Sequence, residues 1–385
     1  MISSRIAMTP APLARKKWPR QFATSCNHGR SAPVTPEAFR QIVSGARRGP
    51  MALLARGLLT LAEQPYRLAM DCRNARYDND PRRIHRAGAM VISVGNITLG
   101  GTGKTPLTVW LAKWFLLRGV RVALVSRGYG ANDGKSNDEA REVAQQLPDV
   151  PHIQNKDRVA AAQLAVSKYD SQLILVDDGF QHRRLHRDLD IVAIDALAPF
   201  GYDRVFPRGM LREPMKGLRR ADLLVLSRAD QVGAETRRQI KQTAARQAPN
   251  GAWVDLMHQP SSLIQADGPS TSIDHLRNTP IAAFCGIGNP RGFHTTLQSI
   301  GYDVRAFREF PDHHNYGDED MKSLAKWANQ VEAAALVCTH KDLVKINSNR
   351  LADIPLWALA IEIHVVVGEE ILTSQLNSIL AQIDS

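Results

Sequence analysis

The sequence predicts an α/β protein: a P-loop NTPase-like parallel sheet covered by helices, with a second, smaller α/β domain. Three observations predict it. Short, uninterrupted apolar runs alternate with helix-length segments, the pattern of a sheet buried on both faces. One of these runs, Val91, Ile92 and Val94, leads into Gly100-Gly101-Thr102-Gly103-Lys104-Thr105 and then into a helix. From about Trp253 the alternation starts again.

The helix after the Gly-rich turn shows its apolar face at Leu107, Trp110, Leu111 and Trp114, spaced i, i+3, i+4 and i+7. Strand, Gly-rich turn, Lys-Thr and helix, in that order, is the context of a nucleotide-binding loop. Glycines let backbone N–H groups curl around phosphate oxygens, and the helix N-terminus adds partial positive charge. The expected contacts to ATP are Thr98, Gly100, Gly101, Thr102, Gly103, Lys104 and Thr105. Lys104 would reach the β- and γ-phosphates, and Thr105 would hold Mg2+. One position departs from G-x-x-x-x-G-K-T: Thr98 stands at the first glycine.

A length of 385 residues suggests two domains. Hydrophobic content of 44% and charged content of 23% are those of a water-soluble globular chain. No uninterrupted apolar run approaches the ~18 residues that crossing a bilayer needs. Four scattered cysteines, Cys26, Cys72, Cys285 and Cys338, lack metal or disulfide spacing and fit a reducing compartment. The net charge is +11, of which +8 falls in residues 1–50, so the body is not read as a nucleic-acid binder.

Residues 1–48 mix Ser, Pro, Arg and Ala without a sustained period and read as a basic, disordered tail. Pro10, Pro12 and Pro19 break any signal-peptide core. Over 50–77, Leu54, Leu58, Leu61 and Leu68 form one helical stripe, and Arg56, Thr60, Glu63 and Arg67 another. Pro65 should kink or divide this helix. Arginines run through and beyond it, so it reads either as a membrane-surface helix or as one packed on the domain. Residues 49–248 then hold this helix and the P-loop domain, and 249–385 the smaller domain.

Strands are expected at 120–125, 150–153, 173–176, 191–194 and 223–226, with helices at 139–147 and 158–168. The second unit carries strands near 281–285, 304–307, 335–337 and 356–361. Ligands of such sheets bind beyond the carboxyl ends of the strands. Asp177-Asp178 ends one strand, where a carboxylate near the P-loop threonine holds Mg2+. Two adjacent acids there are costly unless a cation offsets them. Asp138-Glu139 follows the second strand, placed for a base that takes the proton of an attacking hydroxyl. Asp312-His313-His314 follows a strand of the second unit and could supply a base or its orienting partner. Ser227-Arg228-Ala229-Asp230 partly matches a guanine-reading loop, and Thr339-His340-Lys341-Asp342 is similarly placed in the second unit with no evident role.

Taken together, VGNITLGGTGKTP, SRGYG, DDGFQH, PRGMLREP and FPDHH, in this order, resemble the tetraacyldisaccharide 4'-kinase family, the lipid A kinases of Gram-negative bacteria. The resemblance covers residues 48–362. It implies transfer of phosphate from ATP, with Mg2+, to the 4'-hydroxyl of a tetraacyl glucosamine disaccharide 1-phosphate. It also implies a peripheral protein at the cytoplasmic face of the inner membrane, a P-loop domain and a smaller α/β domain joined by a two-stranded linker.

By matching position, Lys104 and Thr105 serve nucleotide and Mg2+, and Asp177 and Asp178 the metal. The resemblance makes Asp138 the base, His313 its partner across the cleft, and Arg212 and Glu213 the substrate side. The family's Gly-Asp-Glu-Pro reads Asn137-Asp138-Glu139-Ala140 here. An anionic membrane surface becomes the expected partner of residues 50–77, and the protein is expected to act as a monomer. The competing reading is a P-loop GTPase or ATPase of switch or metal-chaperone type, which would hydrolyse nucleotide without an acceptor.

Overall fold

The computed structural model describes residues 36–128, 138–312 and 314–385, with side chains at 38–128, 140–312 and 314–385. The tail expectation for residues 1–48 therefore falls largely outside the described residues. A short helix α1 (Pro36–Ser44) precedes the long α2 (Pro50–Asn79).

The first half of the sheet holds β1 (Met90–Gly95), β2 (Val122–Ser126), β3 (His152–Gln154), β4 (Leu173–Asp177), β5 (Leu189–Asp195) and β6 (Leu223–Ser227). Between them run α3 (Lys104–Leu116), α4 (Asp138–Gln146) and α5 (Arg158–Tyr169), with α6 (Ala234–Gln247) after β6. These strands pair in parallel in the order β3-β2-β4-β1-β5-β6. Both faces are covered, as the continuous apolar runs require. Ile92 packs towards Leu107, Leu111 and Phe115 of α3, while its neighbour Val91 packs towards Ala161, Ala162 and Ala165 of α5.

The second half holds β8 (Pro280–Cys285), α7 (Pro290–Ser299), β9 (Asp303–Glu309), α8 (Asp318–Gln330), β10 (Ala335–Thr339), α9 (His340–Ile346) and the short β11 (Arg350–Leu351). Two long strands join the halves: β7 (Ala252–Ile264) and β12 (Ile354–Val367). The start of β7 continues the first sheet parallel to β6, and the start of β12 continues the second parallel to β10. Between these ends the two strands pair antiparallel, from Ala358↔Ile264 to Val367↔Asp255. The two-stranded linker is thus the middle of one continuous sheet.

Two expectations change. The long β12 carries the chain back to the first half, where Gly368 (φ 83) turns it into α10 (Glu369–Ile383). A side chain at Gly368 would meet the Trp253 carbonyl at 2.7 Å, so the turn depends on glycine. Leu372, Leu376 and Ile379 then join the core formed by Ile92, Leu107 and Val254. The last helix therefore packs with the P-loop domain, outside the 249–385 unit in which it was expected. In addition, Pro65 does not divide α2, whose 30 residues run through it without a break.

α2 is held by its polar side. Glu63, 2% exposed, accepts from the Val205 backbone N–H at 2.9 Å. The Tyr66 hydroxyl donates to the Arg212 carbonyl at 3.0 Å, and Asn74 donates to Glu213 at 3.0 Å. Asp78 pairs with Arg183 and Arg219, both at 2.7 Å. On the opposite side Met51, Leu54, Leu58, Leu61 and Leu68 are 58% to 76% exposed.

Candidate active site

A cavity of about 2040 Å³ opens between the halves. Its wall from the first half includes the 98–105 loop, Asp177, Asp178, Arg212, Arg228 and His258; from the second come Gly288, Asn289, Asp312, Thr339 and His340. Parallel pairing explains the convergence: β1 and β4 run in register with Val94 opposite Asp177, so the acid pair emerges beside the P-loop.

Gly103 caps α3 in the left-handed region (φ 78) and Gly100 also has positive φ (119). A side chain at Gly103 would meet Ser227 Oγ at 2.7 Å and His258 at 2.9 Å. Glycine is required at 103 on both counts. Thr98 is different. It forms an antiparallel bridge with Leu211, flanked by Leu99 N–H to Met210 O and Arg212 N–H to Ile97 O, both 2.7 Å. It is not left-handed, so the position tolerates threonine where the motif has glycine.

The two acids have separate partners. Asp178 (φ 55) lies 3.5 Å from Lys104 Nζ, and Arg212 donates to both its carboxylate oxygens at 2.8 and 2.7 Å. Burial pushes its carboxyl up, but the Lys104 and Arg212 charges outweigh burial and hold it below the usual carboxylate range. Asp177 lies under Thr105, whose hydroxyl donates to Oδ2 at 3.3 Å. A hydroxyl and a carboxylate together are hard oxygen donors of the kind Mg2+ takes alongside phosphate and water. The residues fit that ion. Among the described residues there is no cluster of three or more His, Cys, Asp or Glu that would form an all-protein metal cage.

Arg212 and Glu213 part company. Arg212 lines the cavity and also donates from Nε to the Thr98 carbonyl at 3.0 Å, tying the PRGMLREP segment to the P-loop. Glu213 is 1% exposed and turned away from the cavity. It accepts from Asn74 and Gln181 at 3.0 Å, and from Arg220 at 2.9 and 3.0 Å. Gln181 of DDGFQH in turn donates to the Asn96 carbonyl at 2.8 Å. The substrate-side expectation for Glu213 is corrected: donors from three segments complement its charge inside the protein, where it braces the loops that carry Arg212 and Asp178.

Asp138 is the first residue of α4, but its side chain lies outside the described residues, and His313 lies outside them altogether. Their neighbours are described. Asp312 lines the cavity, and α4 packs on α9.

Sequence reasoning missed two residues here. Asp195, at the end of β5, pairs with Arg228 at 2.5 Å, and Arg228 also donates to the Gly101 carbonyl at 2.9 Å. His258 of β7 approaches Gly103; burial, with Arg228 nearby, lowers its pKa to about 4. Asp195 had a signal, an acid ending an apolar strand as Asp177 does. His258 had none. The Ser227–Arg228 pair, read as a base-side loop, lies beneath the P-loop and supports it.

Residues 55–381 match the family model described as tetraacyldisaccharide-1-P 4'-kinase. The chain belongs to this family. A tetraacyldisaccharide 4'-kinase of Anaeromyxobacter sp. (strain K) is 37% identical over 354 residues, covering 87% of this chain and 93% of the relative. One from Halothermothrix orenii is 36% identical, covering 80% and 88%. A solved structure of LpxK from Aquifex aeolicus, described as in complex with ATP, superposes with a TM-score of 0.68 at 29% identity, covering 84% of this chain and 99% of that one. Membership in the tetraacyldisaccharide-1-P 4'-kinase family makes the protein an ATP-dependent phosphotransferase with an alcohol acceptor, and the switch or metal-chaperone GTPase reading is set aside.

Proposed function

We propose that this chain transfers the γ-phosphoryl group of ATP to the 4'-hydroxyl of a tetraacyl glucosamine disaccharide 1-phosphate, working as a monomer on the cytoplasmic face of a bacterial inner membrane. The observation that carries the reading is the pairing of Lys104 with Asp178 and of Thr105 with Asp177 at the head of a cavity walled opposite by Asp312. Thr105 and Asp177 would hold Mg2+, which neutralises developing phosphate charge when bound. Lys104 and Arg212 place positive charge at the same point, and Asp178 orients both. Asp138 takes the proton of the attacking hydroxyl, and His313 orients or relays it.

The acceptor's acyl chains need a lipid phase, and the outward leucines of α2 supply a surface for one. Arg67, Arg76 and Arg82 are exposed along the same segment, each worth roughly 1 kcal/mol near an anionic surface. Among the described residues no helix is long and apolar enough to cross a membrane, which fits a reversible surface contact.

Labelled ATP incubated with the disaccharide lipid, followed by separation of the lipid product, tests the reading. Labelled lipid is expected from the native chain, and a loss of about 10²–10⁴-fold from Asp138→Ala, the range for removing a general base. Near-native turnover by a folded Asp138→Ala protein would remove Asp138 from that role.

A further inference from the structure

The Thr339-His340-Lys341-Asp342 turn, which begins α9, is not explained by nucleotide binding. Asp342 has no exposed surface, yet its carboxylate gathers donors from three separate strand ends. The Gly286 N–H, just after β8, reaches its two oxygens at 3.1 and 3.2 Å. The Tyr316 hydroxyl, beyond β9, donates at 3.0 Å, and the Thr339 hydroxyl, at the end of β10, at 2.6 Å. Gly286 leaves no spare room: a side chain there would meet Tyr316 at 3.1 Å, Asp342 at 3.2 Å and the Pro311 carbonyl at 3.2 Å.

These contacts bracket the loop that follows β9 and carries Asp312. On one side Phe310 N–H donates to the Cys285 carbonyl at 2.9 Å; on the other, Tyr316 is held by Asp342. Phe310, His314 and Tyr316 pack ring on ring, with centroids 4.7 to 5.2 Å apart, and His314 also meets Asp320 at 3.0 Å. A side chain at Gly288 would stand 3.1 Å from Asp312, so the β8 loop also abuts this one.

The same turn faces the other half. His340 contacts Gln145 Oε1 through Nε2 at 2.9 Å and Gln146 Nε2 through Nδ1 at 3.4 Å. Those partners fix the tautomer, with Nε2 donating and Nδ1 accepting. Both glutamines close α4, the helix that opens at Asp138. A single turn of chain thus reaches both segments that the transfer step needs, one through Asp342 and one through His340.

We propose that Asp342 and His340 are positioning residues, which set the loop after β9, through Phe310, Asp312, His314 and Tyr316, and the helix α4 in register across the cleft. The inference rests on the assignment of Asp138 and His313 given above. Neither residue touches the P-loop network, so the effect falls on transfer and leaves nucleotide affinity alone. Misplacement of a reacting group by about 1 Å costs on the order of 100-fold.

The experiment measures kcat and both KM values for Asp342→Ala and His340→Ala, each alone and combined with His313→Ala and Asp138→Ala respectively. If Asp342→Ala does not fold, Tyr316→Phe replaces it. The expected result is a kcat lower by about 10- to 100-fold in the single variants, with KM for ATP unchanged. Little further loss is expected in the double variants, because a group already removed cannot be misplaced. Losses that multiply in the doubles, a change confined to KM for ATP, or native kcat in the singles would overturn the positioning role. If His313→Ala and Asp138→Ala themselves turn over at the native rate, the assignment of those two residues fails and the inference falls with it. If they are slow and the doubles multiply the loss, the assignment stands and the positioning role alone fails.

Discussion

Helices α2 and α3 both carry an apolar stripe, and they dock by opposite sides. α3 buries Leu107, Leu111 and Phe115 against the sheet, the ordinary outcome of hydrophobic patterning. α2 buries Glu63 and leaves Leu54, Leu58, Leu61 and Leu68 outside. The difference lies in what waits on the body. Beneath α3 is the apolar face of β1; beneath α2 are the Val205 N–H, Arg183, Arg219 and the Arg212 carbonyl, which demand polar partners. A stripe of leucines therefore marks a face that avoids water, without saying whether protein or lipid covers it.

The comparison is tested first where the effect should be largest. Leu111→Ala in α3 should cost about 2–5 kcal/mol of stability, the range for emptying a core leucine site. Denaturant unfolding reads it, and a cost no greater than a surface change would mean that α3 does not dock as described. Next, Glu63→Ala on the buried side of α2 leaves the Val205 N–H without its acceptor and should cost about 1–3 kcal/mol. A neutral result would place the attachment of α2 elsewhere.

A separate effect comes from pH. Burial holds His182, His258 and His340 at about 4, below the usual 6.5. Between those values the unfolded chain binds protons that the folded one refuses, so stability should fall as pH drops through this window. Calorimetry across it should show a declining Tm; a flat profile would contradict neutral, buried imidazoles.

The same contrast explains what was legible in the sequence. The P-loop, the strand-end acids and the alternation of strands and helices are local, so Lys104, Thr105, Asp177 and Asp178 could be read from neighbours in the chain. Glu213 could not be placed, because Asn74, Gln181 and Arg220 meet it only after folding. Nor could His258 or His340, whose partners lie on other elements far along the chain. The return of α10 to the first core was hidden for a similar reason: its Leu372, Leu376 and Ile379 stripe says that it packs, and only the length of β12 decides where. Thr98 looked like a departure from the motif until its strand-like pairing with Leu211 showed that no glycine conformation is needed there.

The central claim is that the enzyme keeps its nucleotide site within the body and meets its acceptor through the outward face of α2. Changing Leu54, Leu58, Leu61 and Leu68 together to Ser tests it most directly. All four are exposed, so each change should alter folding stability by no more than about 0.5 kcal/mol. Transfer should then be measured with the disaccharide lipid in anionic vesicles and in detergent micelles. The account predicts native turnover in detergent and a loss of vesicle binding and vesicle turnover together. Native turnover on vesicles by the substituted protein would contradict it.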